Sequence, residues 1–122
     1  MTAPQRRVLV LEDEFFIADE IAHILESAGF EVLGPVATVS EALGHIAGAL
    51  LDAAVIDANL RGETSAPVAA ALRAGKVPFV VCSGYRAEDL VPTFGPITLV
   101  TKPVHSGRLL SALRSSVRVG DR

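Results

Sequence analysis

Five residues of this 122-residue chain have types and spacing that could do chemistry together: Glu12, Asp13, Asp57, Ser83 and Lys102. Each follows a short apolar run. Val8-Leu9-Val10-Leu11 leads into Glu12-Asp13-Glu14, and Ala53-Ala54-Val55-Ile56 leads into Asp57. Pro78-Phe79-Val80-Val81-Cys82 leads into Ser83, and Ile97-Thr98-Leu99-Val100 leads into Thr101-Lys102-Pro103. Three carboxylates in one pocket repel each other. A hard divalent cation relieves the repulsion, because Mg2+ prefers carboxylate oxygens and keeps several waters, leaving positions open for a phosphate. A lysine at its side binds phosphate as a point charge. A serine hydroxyl can donate to a phosphoryl oxygen. A metal, a carboxylate nucleophile and two phosphate ligands suit phosphoryl transfer onto Asp57.

Such residues meet only if the chain brings them to one rim. The apolar runs are short and unbroken, as suits strands buried on both faces. Between them lie helical patterns. Phe16, Ile17, Ile21, Ile24, Leu25 and Ala28 recur at helical spacing before a stop at Gly29. Glu31 to Val36 reads as a second strand, with Pro35 marking it as an edge strand or a strand end. Thr38-Val39-Ser40-Glu41 matches a capping box for a helix to about Ala49, interrupted by Gly44. Arg61-Gly62-Glu63 reads as a loop, and Thr64 or Ser65 as the cap of a third helix that stops at Gly75. Arg86 to Phe94 reads as a short helix crowded by Pro92, Gly95 and Pro96. Leu109, Leu110, Leu113 and Val117 mark one face of a last helix, before a polar tail from Val119 to Arg122.

Strand and helix thus alternate five times. That pattern implies a parallel sheet with helices on both faces. Right-handed crossovers restrict the topology, and a doubly wound α/β order of 2-1-3-4-5 is the natural candidate. In such sheets ligands bind outside the carboxyl ends of the strands, where all five residues fall. The chain reads as one domain, residues 1–122, with no linker or repeat.

Composition narrows the function classes. Hydrophobic residues make up 50% and charged residues 20%, which is globular rather than disordered. A net charge of -3 with a pI near 5.5 gives no reason to expect a nucleic-acid partner. No apolar stretch approaches a membrane span, and the N-terminus does not read as a signal peptide. The single cysteine, Cys82, excludes an internal disulfide and fits a reducing cytoplasm. Cys82 itself reads as a small buried apolar residue. His23, His45 and His105 lack ligand spacing and read as surface or capping residues. Glu14 reads as an acid that favours the dipole of the first helix.

Over nearly its whole length the chain resembles a bacterial response-regulator receiver domain (CheY-like). The residues that carry the resemblance are the Glu12-Asp13 pair, Asp57, Ser83 and Lys102-Pro103. Their joint spacing is far more specific than any one of them. A narrower resemblance lies in Pro78-Phe79-Val80-Val81-Cys82-Ser83-Gly84-Tyr85. It is similar to the Pro-Phe-x-Phe-Ala-Thr-Gly-Tyr motif of the FAT GUY receivers of alphaproteobacteria, with Cys82-Ser83 where that motif has Ala-Thr. Asp57-Ala58-Asn59-Leu60-Arg61-Gly62-Glu63 also fits that subgroup.

The resemblance implies a flavodoxin-like (βα)5 fold and a set of roles. Asp57 would accept the phosphoryl group from a sensor histidine kinase, a hybrid kinase or a phosphotransfer protein. Asp13 and Asp57 would bind Mg2+, or Mn2+, together with the backbone carbonyl of Asn59, and Glu12 would act mainly through water. Ser83 would be the switch hydroxyl and Lys102 the phosphoryl-binding cation, with a cis peptide bond to Pro103. Ordinary receivers carry a switch aromatic three residues before the lysine. Here that residue is Leu99, so the readout is expected at Tyr85 and the loop to Phe94. With no output domain after the last helix, the expectation is a stand-alone receiver or a cut-out from something longer: a cytoplasmic signalling domain, monomer or weak dimer, which by family analogy docks on a downstream protein through its fourth helix, fifth strand and fifth helix. It is not expected to be a turnover enzyme on an external substrate. A phosphohydrolase with an aspartyl nucleophile would need a second Asp at the Asn59 position. A phosphorylation-independent binding module would have no need of the intact acidic pair, Asp57 and Lys102.

Overall fold

The structure is a computed structural model and describes residues 5–120. Met1 to Pro4 and the end of the expected polar tail, Asp121 and Arg122, lie outside the described residues. The chain runs β1 (Arg7–Leu11), α1 (Phe15–Ser27), β2 (Glu31–Val36), α2 (Val39–Gly48), β3 (Ala53–Asp57), β4 (Asn59–Leu60), β5 (Glu63–Thr64), α3 (Ala66–Ala74), β6 (Phe79–Ser83), α4 (Ala87–Phe94), β7 (Leu99–Thr101) and α5 (Ser106–Gly120). Five strands form one sheet of order β2-β1-β3-β6-β7, with every neighbouring pair parallel. With β4 and β5 set aside, this is the expected doubly wound 2-1-3-4-5 order.

Both faces of the sheet are covered, which explains why the central strands read as unbroken apolar runs. Side chains alternate across a strand. Leu9 and Leu11 of β1 therefore join Ala54, Ile56 and Val81 on one face, under α2, α3 and α4 through Ala42, Val68, Leu72, Leu90 and Phe94. Val8 and Val10 join Val55, Val80, Cys82 and Val100 on the other, under α1 and α5 through Ile21, Leu25, Leu109, Leu113 and Val117. Among the described residues, no helix is long and apolar enough to cross a membrane.

Local chemistry sets the element ends. Thr38 caps α2: the Glu41 amide donates to Thr38 Oγ1, and the Thr38 hydroxyl donates to the Glu41 carboxylate. At α3 the cap contact comes from Thr64, whose Oγ1 accepts from the Ala66 amide. Ser65 is buried and donates instead to the Ala58 carbonyl. His105 does cap a helix, its Nδ1 accepting from the Arg108 amide. At Gly34 (φ 93°) a Cβ would lie 2.6 Å from the Val36 nitrogen, so only glycine fits beside the cis Gly34–Pro35 bond of edge strand β2.

Four expectations need correction. Phe16 does not belong to the buried face of α1 but is 85% exposed, next to an equally outward Phe15. The stripe that packs is Ala18, Ile21, Ala22 and Leu25, and Phe16 stands off it. The Arg61 segment is not an open loop. Asn59 pairs with Thr64 and Leu60 with Glu63, which leaves Arg61 and Gly62 as a two-residue hairpin turn, both at positive φ. The fifth sheet strand starts later than Ile97, at Leu99, and takes in Thr101. Val119 and Gly120 continue α5 rather than opening a tail.

Candidate functional site

The rim at the carboxyl ends of the strands collects the sequence-predicted residues. Asp57 is the last residue of β3 and Ser83 the last of β6. Glu12 and Asp13 follow β1, and Lys102 follows β7. Parallel pairing sets them level: Asp57 pairs with Cys82, and Ser83 with Thr101. The order β1-β3-β6-β7 then places Asp57 between the acidic pair on one side and Ser83 with Lys102 on the other.

Lys102 ties the acids together. Its Nζ donates to Glu12 Oε1 at 2.7 Å and to Asp57 Oδ2 at 3.2 Å. The Glu12 side chain is 1% exposed, so this contact neutralises a charge that would otherwise be buried alone. Burial alone would lower the Lys102 pKa. The hydrogen bond to Glu12 and the charge of Asp57 outweigh it, and the ammonium is held above its usual range. Behind the site, burial pushes the Cys82 thiol up to about 12, against the lowering pull of Lys102.

Other polar atoms of the site have partners as well. Asp57 Oδ1 accepts from the Asn59 amide at 3.3 Å. Glu12 Oε2 accepts from the Glu14 amide at 3.2 Å. Ser83 is buried, and its Oγ accepts from the Tyr85 amide at 2.9 Å. Asp13 Oδ2 meets Arg61 Nε at 3.2 Å. The Lys102–Pro103 peptide bond is cis. Together Asp13, Asp57, Asn59, Arg61, Ser83, Tyr85 and Lys102 line a cleft of about 370 Å³.

Glu12, Asp13 and Asp57 each offer a carboxylate oxygen, and these oxygens all lie within 4.8 Å of one another. Such an all-oxygen, acidic donor set fits a hard divalent cation with open positions. Tyr85 is exposed and borders the cleft. Leu99 is half-buried and packs against the α2–α3–α4 side of the core, away from the carboxylates. A larger groove of about 1100 Å³ runs beside β7, between the end of α3 and α5, and none of the clustered carboxylates lines it. The residue that sequence reasoning missed is Arg61. Its signal was the two-residue spacing between Leu60 and Glu63, with Gly62 in the turn.

No family model matches the sequence. The chain is 32% identical over 117 residues to the sensory transduction protein RegX3 of Mycobacterium bovis, covering 93% of this chain and 51% of that protein. The chain spans about half the length of the curated relatives it matches. A response regulator receiver domain protein (CheY-like) from Methanospirillum hungatei JF-1 superposes with a TM-score of 0.82 at 22% identity, covering 97% of this chain and 98% of that one. The receiver domain of sensor histidine kinase PA1611 from Pseudomonas aeruginosa PAO1 gives 0.83 at 19% identity, covering 94% and 99%. That structure has a magnesium ion coordinated in its active-site cleft. The fold of this chain is therefore that of the receiver domains of response regulators.

Proposed function

We propose that this chain is the phosphoacceptor of a two-component signalling pair, with Asp57 as the acceptor. The observation that carries the reading is the convergence of Asp13, Asp57, Ser83 and Lys102 on one cleft at the strand ends. A phosphohistidine on a sensor kinase, hybrid kinase or phosphotransfer protein would donate. Its P–N bond breaks, and a P–O bond forms to the Asp57 carboxylate, leaving a neutral imidazole once a proton is taken up. Asp13, Asp57 and the Asn59 carbonyl would hold Mg2+ or Mn2+, with Glu12 acting through water. The ion supplies charge neutralisation at the phosphoryl oxygens.

The protein's own groups do the rest. Lys102 holds a full positive charge beside Asp57 and pairs with a phosphoryl oxygen. The Asn59 amide fixes the Asp57 carboxylate for attack. Ser83 turns its hydroxyl to the phosphoryl group, which takes its oxygen away from the Tyr85 amide. Movement at Tyr85 and α4 then reports phosphorylation, in place of the aromatic that Leu99 replaces. A downstream protein reads the change on the face of α4, β7 and α5. The chain modifies itself and does not turn over an external substrate. The Pro78 to Tyr85 stretch supports placement in the FAT GUY subgroup, and the acidic, single-cysteine composition supports a cytoplasmic site, as monomer or weak dimer.

Incubation with a small acyl phosphate and Mg2+, followed by intact mass, tests this. The wild-type chain should gain one phosphoryl group, labile to hydroxylamine, and Asp57→Asn should gain none. Labelling of Asp57→Asn to the same extent, or none of the wild type by any cognate kinase, overturns the reading.

A further inference from the structure

We infer that Arg61 is an intramolecular competitor for Asp13, so that a divalent cation enters the cleft only as Arg61 leaves. This rests on the metal reading of the cleft proposed above. Three carboxylates stand at the cleft, and Lys102 answers two of them, Glu12 and Asp57. The third, Asp13, is answered by Arg61, with Nε 3.2 Å from Oδ2. The Asp13 side chain is 11% exposed and the Arg61 side chain 82% exposed. The pair thus joins a carboxylate held in the site to a cation standing largely in water, which can swing out at little cost.

The backbone sets the root of this side chain at the cleft. Arg61 lies at φ 48°, in the left-handed region where residues other than glycine, asparagine and aspartate are uncommon. Together with Gly62 at φ 85° it closes the tight β4–β5 hairpin. That hairpin begins two residues after Asp57, so it is anchored to the strand that carries the acceptor. Non-glycine residues keep such conformations where the surroundings over-determine them, and the Asp13 contact is the ion pair this side chain makes. A cation bound by Asp13 draws on the carboxylate whose Oδ2 Arg61 holds, and it repels the guanidinium. Arg61 and a metal therefore compete for Asp13, and Arg61 offsets one charge of a cleft that stays net acidic, with Glu14 also on its lining.

Mg2+ titration calorimetry on the full chain tests this, with Arg61→Gln, Arg61→Asn and Arg114→Gln beside the wild type. Asparagine tolerates the left-handed backbone, which guards against loss of the hairpin. Arg114 is an exposed arginine of α5 outside the cleft and controls for net charge alone. Both Arg61 variants should bind Mg2+ about two- to fivefold more tightly, the range for an ion pair with one exposed partner, and the gain should shrink in high salt. Arg114→Gln should match the wild type. In the wild type, the Arg61 Nε–H resonance should move with the same midpoint as the calorimetry. Equal or weaker binding by both Arg61 variants, an equal gain in Arg114→Gln, or a stationary Arg61 signal overturns the inference. Mg2+ binding by the wild type with no gain in the variants leaves the metal reading standing. Absence of Mg2+ binding by the wild type overturns that reading, and the competition with it.

Discussion

Cys82 lies in β6 and Lys102 follows the neighbouring β7, yet burial acts on them with different results. The ammonium keeps its proton because Glu12 and Asp57 face it. The thiol keeps its proton because no cation outweighs desolvation, and its pKa rises to about 12. Both folded values lie above the unfolded ones. Both groups therefore stabilise the fold fully below the unfolded pKa, and the benefit is lost as pH rises through the folded value. Urea unfolding measured from pH 7 upward should show stability beginning to fall near pH 8, as the unfolded thiol ionises around its ordinary value of about 8.5. Cys82→Ala should flatten the slope there. At pH 8 the native thiol should also resist a disulfide reagent that modifies the urea-unfolded chain at once. Tyr85 belongs to the same scale. Its amide is bound to Ser83 Oγ while its side chain is exposed. Tyr85→Ala should leave phosphorylation of Asp57 near wild-type rates and abolish the difference in partner affinity between phosphorylated and unphosphorylated chain. Partner binding that still responds in full would rule out Tyr85 as the reporter.

The sheet strands are rigid arms, and the loops at their ends hold the chemistry. Each arm ends where its polar residue begins, so the cleft inherits its precision from parallel pairing. The α4 element is different. It spans eight residues, Ala87–Phe94, and carries Pro92 inside it. Proline removes the amide that would bond one turn back, to the Glu88 carbonyl. The helix is held by buried Leu90 and Phe94 and by Glu88 and Asp89 in its first turn, where acids favour the dipole. Pro92→Ala should stabilise the chain by about 1–3 kcal/mol, less than the full proline penalty because proline also restricts the unfolded chain. Hydrogen exchange should slow within α4 and change little in β3. A helix kept marginal in this way suits a segment that shifts on a small change at Ser83 and Tyr85.

At the scale of the whole molecule, two separate apolar clusters share one sheet. The cleft sits at the edge common to both, since Asp57 ends a strand that feeds the two. Leu72 of α3 is fully buried in the cluster under α2, α3 and α4. Leu72→Ala should cost about 2–5 kcal/mol, read from the midpoint of urea unfolding at constant slope. Mg2+ affinity should stay near that of wild type wherever the variant is folded, because the strands that carry the carboxylates are also pinned from the α1–α5 side.

Most of this architecture was legible in the residues, because strands buried on both faces leave an unmistakable mark: a short, unbroken apolar run ending in a polar residue. Val8 to Leu11, Ala53 to Ile56 and Phe79 to Cys82 carry that mark, and their polar ends identify Glu12, Asp13, Asp57 and Ser83 as neighbours. Alternation with helices then fixed the sheet order, since chirality leaves few ways to connect parallel strands. Tertiary structure decided what periodicity cannot see. It turned Phe16 outward, because a helix buries only the stripe its neighbours cover. It made Arg61-Gly62 a tight turn, because that depends on backbone angles rather than on hydrophobic pattern. And it set Lys102 on Glu12 and Asp57 and Arg61 on Asp13, because the pairing of charges 90, 45 and 48 residues apart is a matter of where side chains end in space.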